Sequence, residues 1–93
     1  MVFFYMDKGY VYIMQSERSG MYYIGSCHNT TKRLLQHNNG KTLATRNKGP
    51  WILRLAQEYS TMKEARQVEY KLKRLKRRDY IEQMIQDGYI KKK

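Results

Sequence analysis

Arg33 and His37 stand four residues apart in a stretch of helical character, which places both side chains on one helix face. An arginine fork matches the geometry of phosphate oxygens, and a neutral imidazole can accept or relay a proton near pH 7. The pair therefore suits chemistry at a phosphate, although the same spacing also describes an ordinary solvated helix face. Glu69 is an acid in a strongly basic segment, next to Val68 and four before Lys73. It can close an i,i+4 ion pair with that lysine, or it can be the carboxylate that a hard divalent cation such as magnesium needs. Tyr12 and Tyr23 lie in two aromatic, β-branched runs; tyrosines on paired strands meet across one face of a sheet, either as packing or as phenols facing a substrate.

These side chains need elements to hold them. Residues 10–15 and 21–25 read as two strands of a hairpin around turn residues 16–20. Thr30 or Thr31 can cap a helix running to about Asn38, with Asn39 and Gly40 as its stop, and a polar, basic loop follows over 41–49. Pro50 introduces a third strand over 51–59, in which Trp51, Leu53 and Leu55 alternate with Ile52, Arg54 and Ala56. Thr61 with Glu64 forms a capping box, and Ala65, Val68, Leu72 and Leu75 repeat along one face of a helix that reaches about Lys76. Asp79 with Glu82 suggests a second box, opening a short helix through Asp87 that Gly88 ends. The order is β-β-α-β-α-α, an α+β fold with a three-stranded antiparallel sheet flanked by helices. Trp51, Leu53, Leu55, Val68, Leu72 and Leu75 are the expected core, joining the third strand to the second helix.

Composition narrows the partner. The 93 residues fit one domain, expected over 8–87, with a basic tail over 88–93 that frays at its three lysines. Nineteen Lys and Arg against eight Asp and Glu give a net charge of +11, so the surface attracts polyanions. Nucleic acid fits better than a membrane, because each neutralised phosphate releases condensed counterions, whereas a membrane-surface protein usually shows an amphipathic helix with a bulky apolar face beside its basic one. Residues 1–6 are apolar but too short to span a bilayer, and Asp7 and Lys8 follow at once. Cys27 is the only cysteine, which excludes an internal disulfide and a cysteine-based zinc site and points to a reducing, cytoplasmic setting. Cys27, His28 and His37 do not amount to a zinc ligand set. Asn38, Lys41, Thr45, Arg46 and Lys48, on or near the loop after the first helix, can follow a nucleic-acid strand or simply be solvated. Lys71, Lys73, Arg74, Lys76, Arg77 and Arg78 form a second phosphate-attracting surface.

Three spaced segments then agree in order: Gly9-Tyr10-Val11-Tyr12-Ile13, Tyr22-Tyr23-Ile24-Gly25-Ser26, and Arg33 through His37-Asn38. Together they resemble the GIY-YIG nuclease signature, and within it the small single-domain bacterial branch. Pro50-Trp51 and the run from Glu64-Ala65 through Glu69 to Leu72-Lys73 fit that branch too. The resemblance implies an endonuclease dependent on magnesium, or on another divalent cation such as manganese, that cuts nucleic acid, DNA ahead of RNA. By the same resemblance Tyr12 activates the attacking water, Tyr23 shapes the site, and Arg33 steadies the phosphate. Glu69 is the implied metal ligand, His37 a proton relay or phosphate contact, and Gly25 the place where a missing side chain lets backbone or substrate approach. The first segment reads Tyr10-Val11-Tyr12 and lacks the glycine that gives the family its name. Charge alone leaves a second reading open, a non-catalytic nucleic-acid-binding module on the same fold.

Overall fold

A computed structural model describes residues 8–90, and within them the six elements follow in the expected order. They are β1 (Gly9–Ser16), β2 (Tyr22–Cys27), α1 (Thr30–Asn38), β3 (Trp51–Tyr59), α2 (Met62–Leu75) and α3 (Arg78–Asp87). The apolar opening at 1–6 and the lysines at 91–93 lie outside the described residues. The strands form one antiparallel sheet in the order β2-β1-β3, so the fold is α+β.

β1 is the central strand and is buried on both sides. Its alternation sends Val11 and Ile13 to one face and Tyr12 and Met14 to the other. In the hairpin register Tyr12 faces Gly25 and Met14 faces Tyr23, so both tyrosines share a face. α1 covers that face through Leu34, while α2 and α3 cover the opposite one with Ala65, Leu72, Ile81 and Met84. α2 begins directly on β1: a Cβ at Gly9 would lie 2.8 Å from the Met62 Cα, so only glycine lets the helix sit there.

The expected single core is in fact two clusters, and a β-bulge is the reason. Ile13 pairs with Leu55 and Met14 with Leu53, leaving Arg54 as an extra residue on β3. An extra residue reverses the alternation, so Leu55 joins Val11, Ile13 and Leu72 whereas Leu53 and Trp51 join Tyr12 and Met14. Trp51 and Leu53 therefore belong to the α1 face and do not meet α2. Leu75 is a second correction, 41% exposed in the last turn of α2 beside the exposed Lys76–Arg78 elbow, which offers no apolar cover.

Two helix starts also differ from expectation. Asn29 caps α1, its Oδ1 accepting from Lys32 N at 3.0 Å; asparagine is a better cap than the threonines after it, which take the first helical positions. At α3 the cap is Arg77, with no side-chain cap bond, because Asp79 is held by the Arg77 guanidinium at 2.8 and 3.0 Å and Glu82 by Arg78 at 3.0 Å. A carboxylate finds a stronger partner in a guanidinium than in a backbone amide. The Thr61 cap on α2 is as expected, accepting from Glu64 N at 3.1 Å. Gly88 ends α3 at φ 83°, the left-handed conformation that glycine adopts without strain.

Candidate active site

His37 lies on the inner side of α1, only 2% exposed, and both of its ring nitrogens are engaged. Nε2 is 2.8 Å from the Tyr12 hydroxyl and Nδ1 is 2.7 Å from Thr45 Oγ1. Tyr23 meets the imidazole edge-on with centroids 5.2 Å apart, and its other side meets Trp51 at 6.3 Å. The Trp51 indole N–H donates to the Thr45 carbonyl at 3.2 Å. A Cβ at Gly25 would overlap Tyr12, lying 2.6 Å from its Cζ. Glycine at 25 thus makes room for the Tyr12 ring itself, a packing demand set by the register that places the two residues opposite each other.

Arg33 sets the charge of this cluster. Its guanidinium stands beside the Tyr12 hydroxyl and near His37, with one terminal nitrogen donating to Gln36 at 2.9 Å. Its Nε is buried and makes no hydrogen bond, a donor left unmet inside a polar site. Burial pushes the Tyr12 phenol up to about 12 despite the arginine, which acts to lower it. Burial, then Arg33, pull the His37 imidazolium down to about 4. With the phenol pushed up and the imidazolium pulled down, the resting cluster keeps its proton on Tyr12 and its histidine neutral.

Glu69 approaches from the other side of the sheet. Ser26 pairs with Val11 in the hairpin and so points toward α2, where its hydroxyl donates to Glu69 Oε1 at 2.5 Å. Lys73 Nζ takes Oε2 at 2.7 Å and lies 5.5 Å from the centroid of Tyr23. That lysine reaches around β2, an edge strand, and links the carboxylate to the tyrosine face. One half-buried carboxylate beside one hydroxyl is an all-oxygen donor set, which fits a hard, hydrated cation that needs few protein ligands. Among the described residues no group of three or more His, Cys, Asp and Glu could hold a metal, so such an ion would rest on Glu69 and on water.

The loop residues fall elsewhere than their polarity suggests. Thr45 is 1% exposed and supports His37, so its side chain does not face a passing strand. The Asn38 amide clamps the start of β3, accepting from Trp51 N at 2.7 Å and donating to Trp51 O at 3.1 Å. Lys41, Arg46 and Lys48 are exposed, with Arg46 and Lys48 folded back onto the carbonyls of Gly40 and Ala44. Two residues of the cluster had no role from sequence, Ser26 and Gln36, and Trp51 was expected only as core. Ser26 carried a signal, its place directly after the Tyr23–Gly25 segment.

The sheet, its helices and the residues gathered on them fall within a segment that matches a known domain. The GIY-YIG catalytic domain matches residues 8–83, and the chain belongs to this nuclease family. It is similar to small proteins called UPF0213: 41% identical over 86 residues to one from Bacillus licheniformis, covering 88% of each chain. It is 36% identical over 84 residues to another from Staphylococcus epidermidis, covering 89% of this chain and all of that one. The solution structure of a UPF0213 protein from Bacillus halodurans matches with a TM-score of 0.54 at 30% identity, over 87% of this chain and 86% of that one. Among the described residues no helix is long and apolar enough to cross a membrane.

Proposed function

We propose that this protein is a divalent-metal-dependent endonuclease that hydrolyses phosphodiester bonds in nucleic acid, with DNA as its first substrate. The observation that carries this reading is the 2.8 Å hydrogen bond between Tyr12 and His37 beside an arginine whose buried Nε lacks a partner. A phenol bonded to a neutral imidazole can take a proton from water and hand its own to the ring, and an unmet guanidinium donor suits a phosphate oxygen. The free, buried Cys27 suits a reducing interior such as the cytoplasm.

In this mechanism water attacks phosphorus while its proton moves to the Tyr12 oxygen and the Tyr12 proton moves to His37 Nε2. The new P–O bond replaces the bond to the leaving oxygen, which collects a proton from water. Burial raises the Tyr12 phenol and lowers the His37 imidazolium, so the pair starts as neutral phenol and neutral imidazole. Arg33 offsets charge on the phosphate oxygens, and Tyr23 packs edge-on against the imidazole and helps to hold it in place. Glu69, with Ser26 beside it, would hold a magnesium or manganese ion, which when bound supplies a Lewis acid at the phosphate. Lys73, which pairs with Glu69 at 2.7 Å, would be available to a phosphate along with Arg46, Lys41 and Lys48 if that carboxylate held the ion.

Labelled single-stranded, duplex and branched DNA, and RNA, incubated with magnesium, manganese or a chelator, test the reading. Cleavage should need the ion, and Glu69→Gln should lower it roughly a hundredfold or more while leaving binding intact. One observation favours a second reading: Ser26 and Lys73 already occupy both Glu69 oxygens, as suits a non-catalytic nucleic-acid-binding module. Binding without cleavage under any metal would establish that module in place of the nuclease.

A further inference from the structure

Thr45 contributes a buried hydroxyl to the far side of His37, and its loop is fixed on both sides of that contact. Its N–H donates to Thr42 O at 3.2 Å and its carbonyl accepts the Trp51 indole N–H, so the Oγ1 position does not depend on the histidine. A neutral imidazole carries one proton, and the two hydroxyls at 2.7 and 2.8 Å could each donate or accept. The Arg33 cation near the Tyr12 hydroxyl favours one arrangement: the phenol oxygen turns its lone pairs toward the cation and its proton toward His37 Nε2, its 2.8 Å partner. In that arrangement Nε2 is bare, the ring proton sits on Nδ1, and the atom that receives it is Thr45 Oγ1, 2.7 Å away.

We propose that Thr45 is a positioning residue that holds His37 in the Nδ1–H tautomer and so keeps Nε2 open to the Tyr12 proton. The bond made by one ring nitrogen decides the state of the other, and partners of this kind change activity by about ten- to a hundredfold when removed. The proposal rests on reading Tyr12 and His37 as the proton-handling pair, but its main test does not need catalysis. Serine can accept the same hydrogen bond; valine matches threonine in shape and cannot.

Long-range proton–nitrogen spectra of the full chain, labelled in its two histidines, read the tautomer directly, with His28→Gln assigning the signals. At pH 7 the parent His37 should show a protonated Nδ1 and a bare Nε2, Thr45→Ser should match it, and Thr45→Val should move population toward Nε2–H. With DNA and magnesium, Thr45→Val should lower kcat about tenfold or more with KM unchanged, and Thr45→Ser should stay near the parent. A parent His37 protonated on Nε2 overturns the proposal, and needs no variant to fold. So does a Thr45→Val spectrum identical to the parent. If the parent shows the Nδ1–H tautomer, Thr45→Val shifts it, and nothing is cut, the assignment of Thr45 stands and the nuclease reading falls.

Discussion

His37 is neutral because its surroundings refuse the charge, and that refusal is visible in stability as well as in chemistry. An unfolded histidine titrates near 6.5, whereas His37 in the fold takes a proton only near 4. Between those values the unfolded chain binds a proton that the folded chain does not, so this contribution is complete above pH 6.5 and is lost as pH falls toward 4. Urea melts at pH 7 and pH 4.5 should show the parent losing on the order of 2 kcal/mol more than His37→Gln over that interval. Equal losses would mean that the ring is open to water. Tyr12, Tyr23, Arg33, His37 and Glu69 stood out because the spaced segments that carry them resemble the GIY-YIG signature; residue type and helical or strand spacing alone left each open to ordinary packing or a solvated face. Thr45 was not, because a threonine inside a basic loop looks like every other polar loop residue until the chain folds it under α1. Ser26 and Gln36 escaped for a related reason: a hydroxyl or amide that orients another side chain has no pattern of its own.

At the scale of elements, the alternating runs and helical periodicity located all three strands and all three helices, although only α2 starts on the expected cap, and the bulge at Arg54 is what the runs concealed. A one-residue insertion in a strand leaves the run of apolar residues intact while reversing which face they serve. Position along α2 separates two leucines that helical periodicity treats alike. Leu72 is buried among Val11, Ile13 and Leu55, so Leu72→Ala should cost about 2 to 5 kcal/mol. Leu75, largely exposed at the helix end, should lose less than about 1 kcal/mol on the same change. Denaturant midpoints for the two variants decide this; similar losses would return Leu75 to the core. Leu53→Ala supplies the complementary measurement, since it should disturb the Tyr12, Tyr23 and Trp51 cluster, and with it cleavage, more than Leu55→Ala does at equal cost in stability.

The whole molecule is a cation, and its acids do not spread that charge evenly. Glu58, Glu69, Asp79 and Glu82 are each paired with Lys8, Lys73, Arg77 and Arg78, which leaves the remaining lysines and arginines to dominate the field around a net charge of +11. Exposed basic residues flank the site on two sides, Lys41, Arg46 and Lys48 beyond α1 and Lys76 at the elbow after α2. A strand lying across the β2 edge would neutralise phosphates at both places, releasing condensed counterions at each contact. With about four phosphates neutralised, log affinity against log salt should have a slope of about −3.6, so that raising salt from about 50 to 200 mM weakens binding roughly a hundredfold. Sequence should matter little, because contacts to the backbone position a strand without reading its bases. Glu69→Gln should bind at least as tightly as the parent, having lost one negative charge from a surface that draws phosphates. A flat slope would remove nucleic acid as the partner, and with it both the endonuclease and the binding module, because each needs the phosphate backbone to be what this surface attracts.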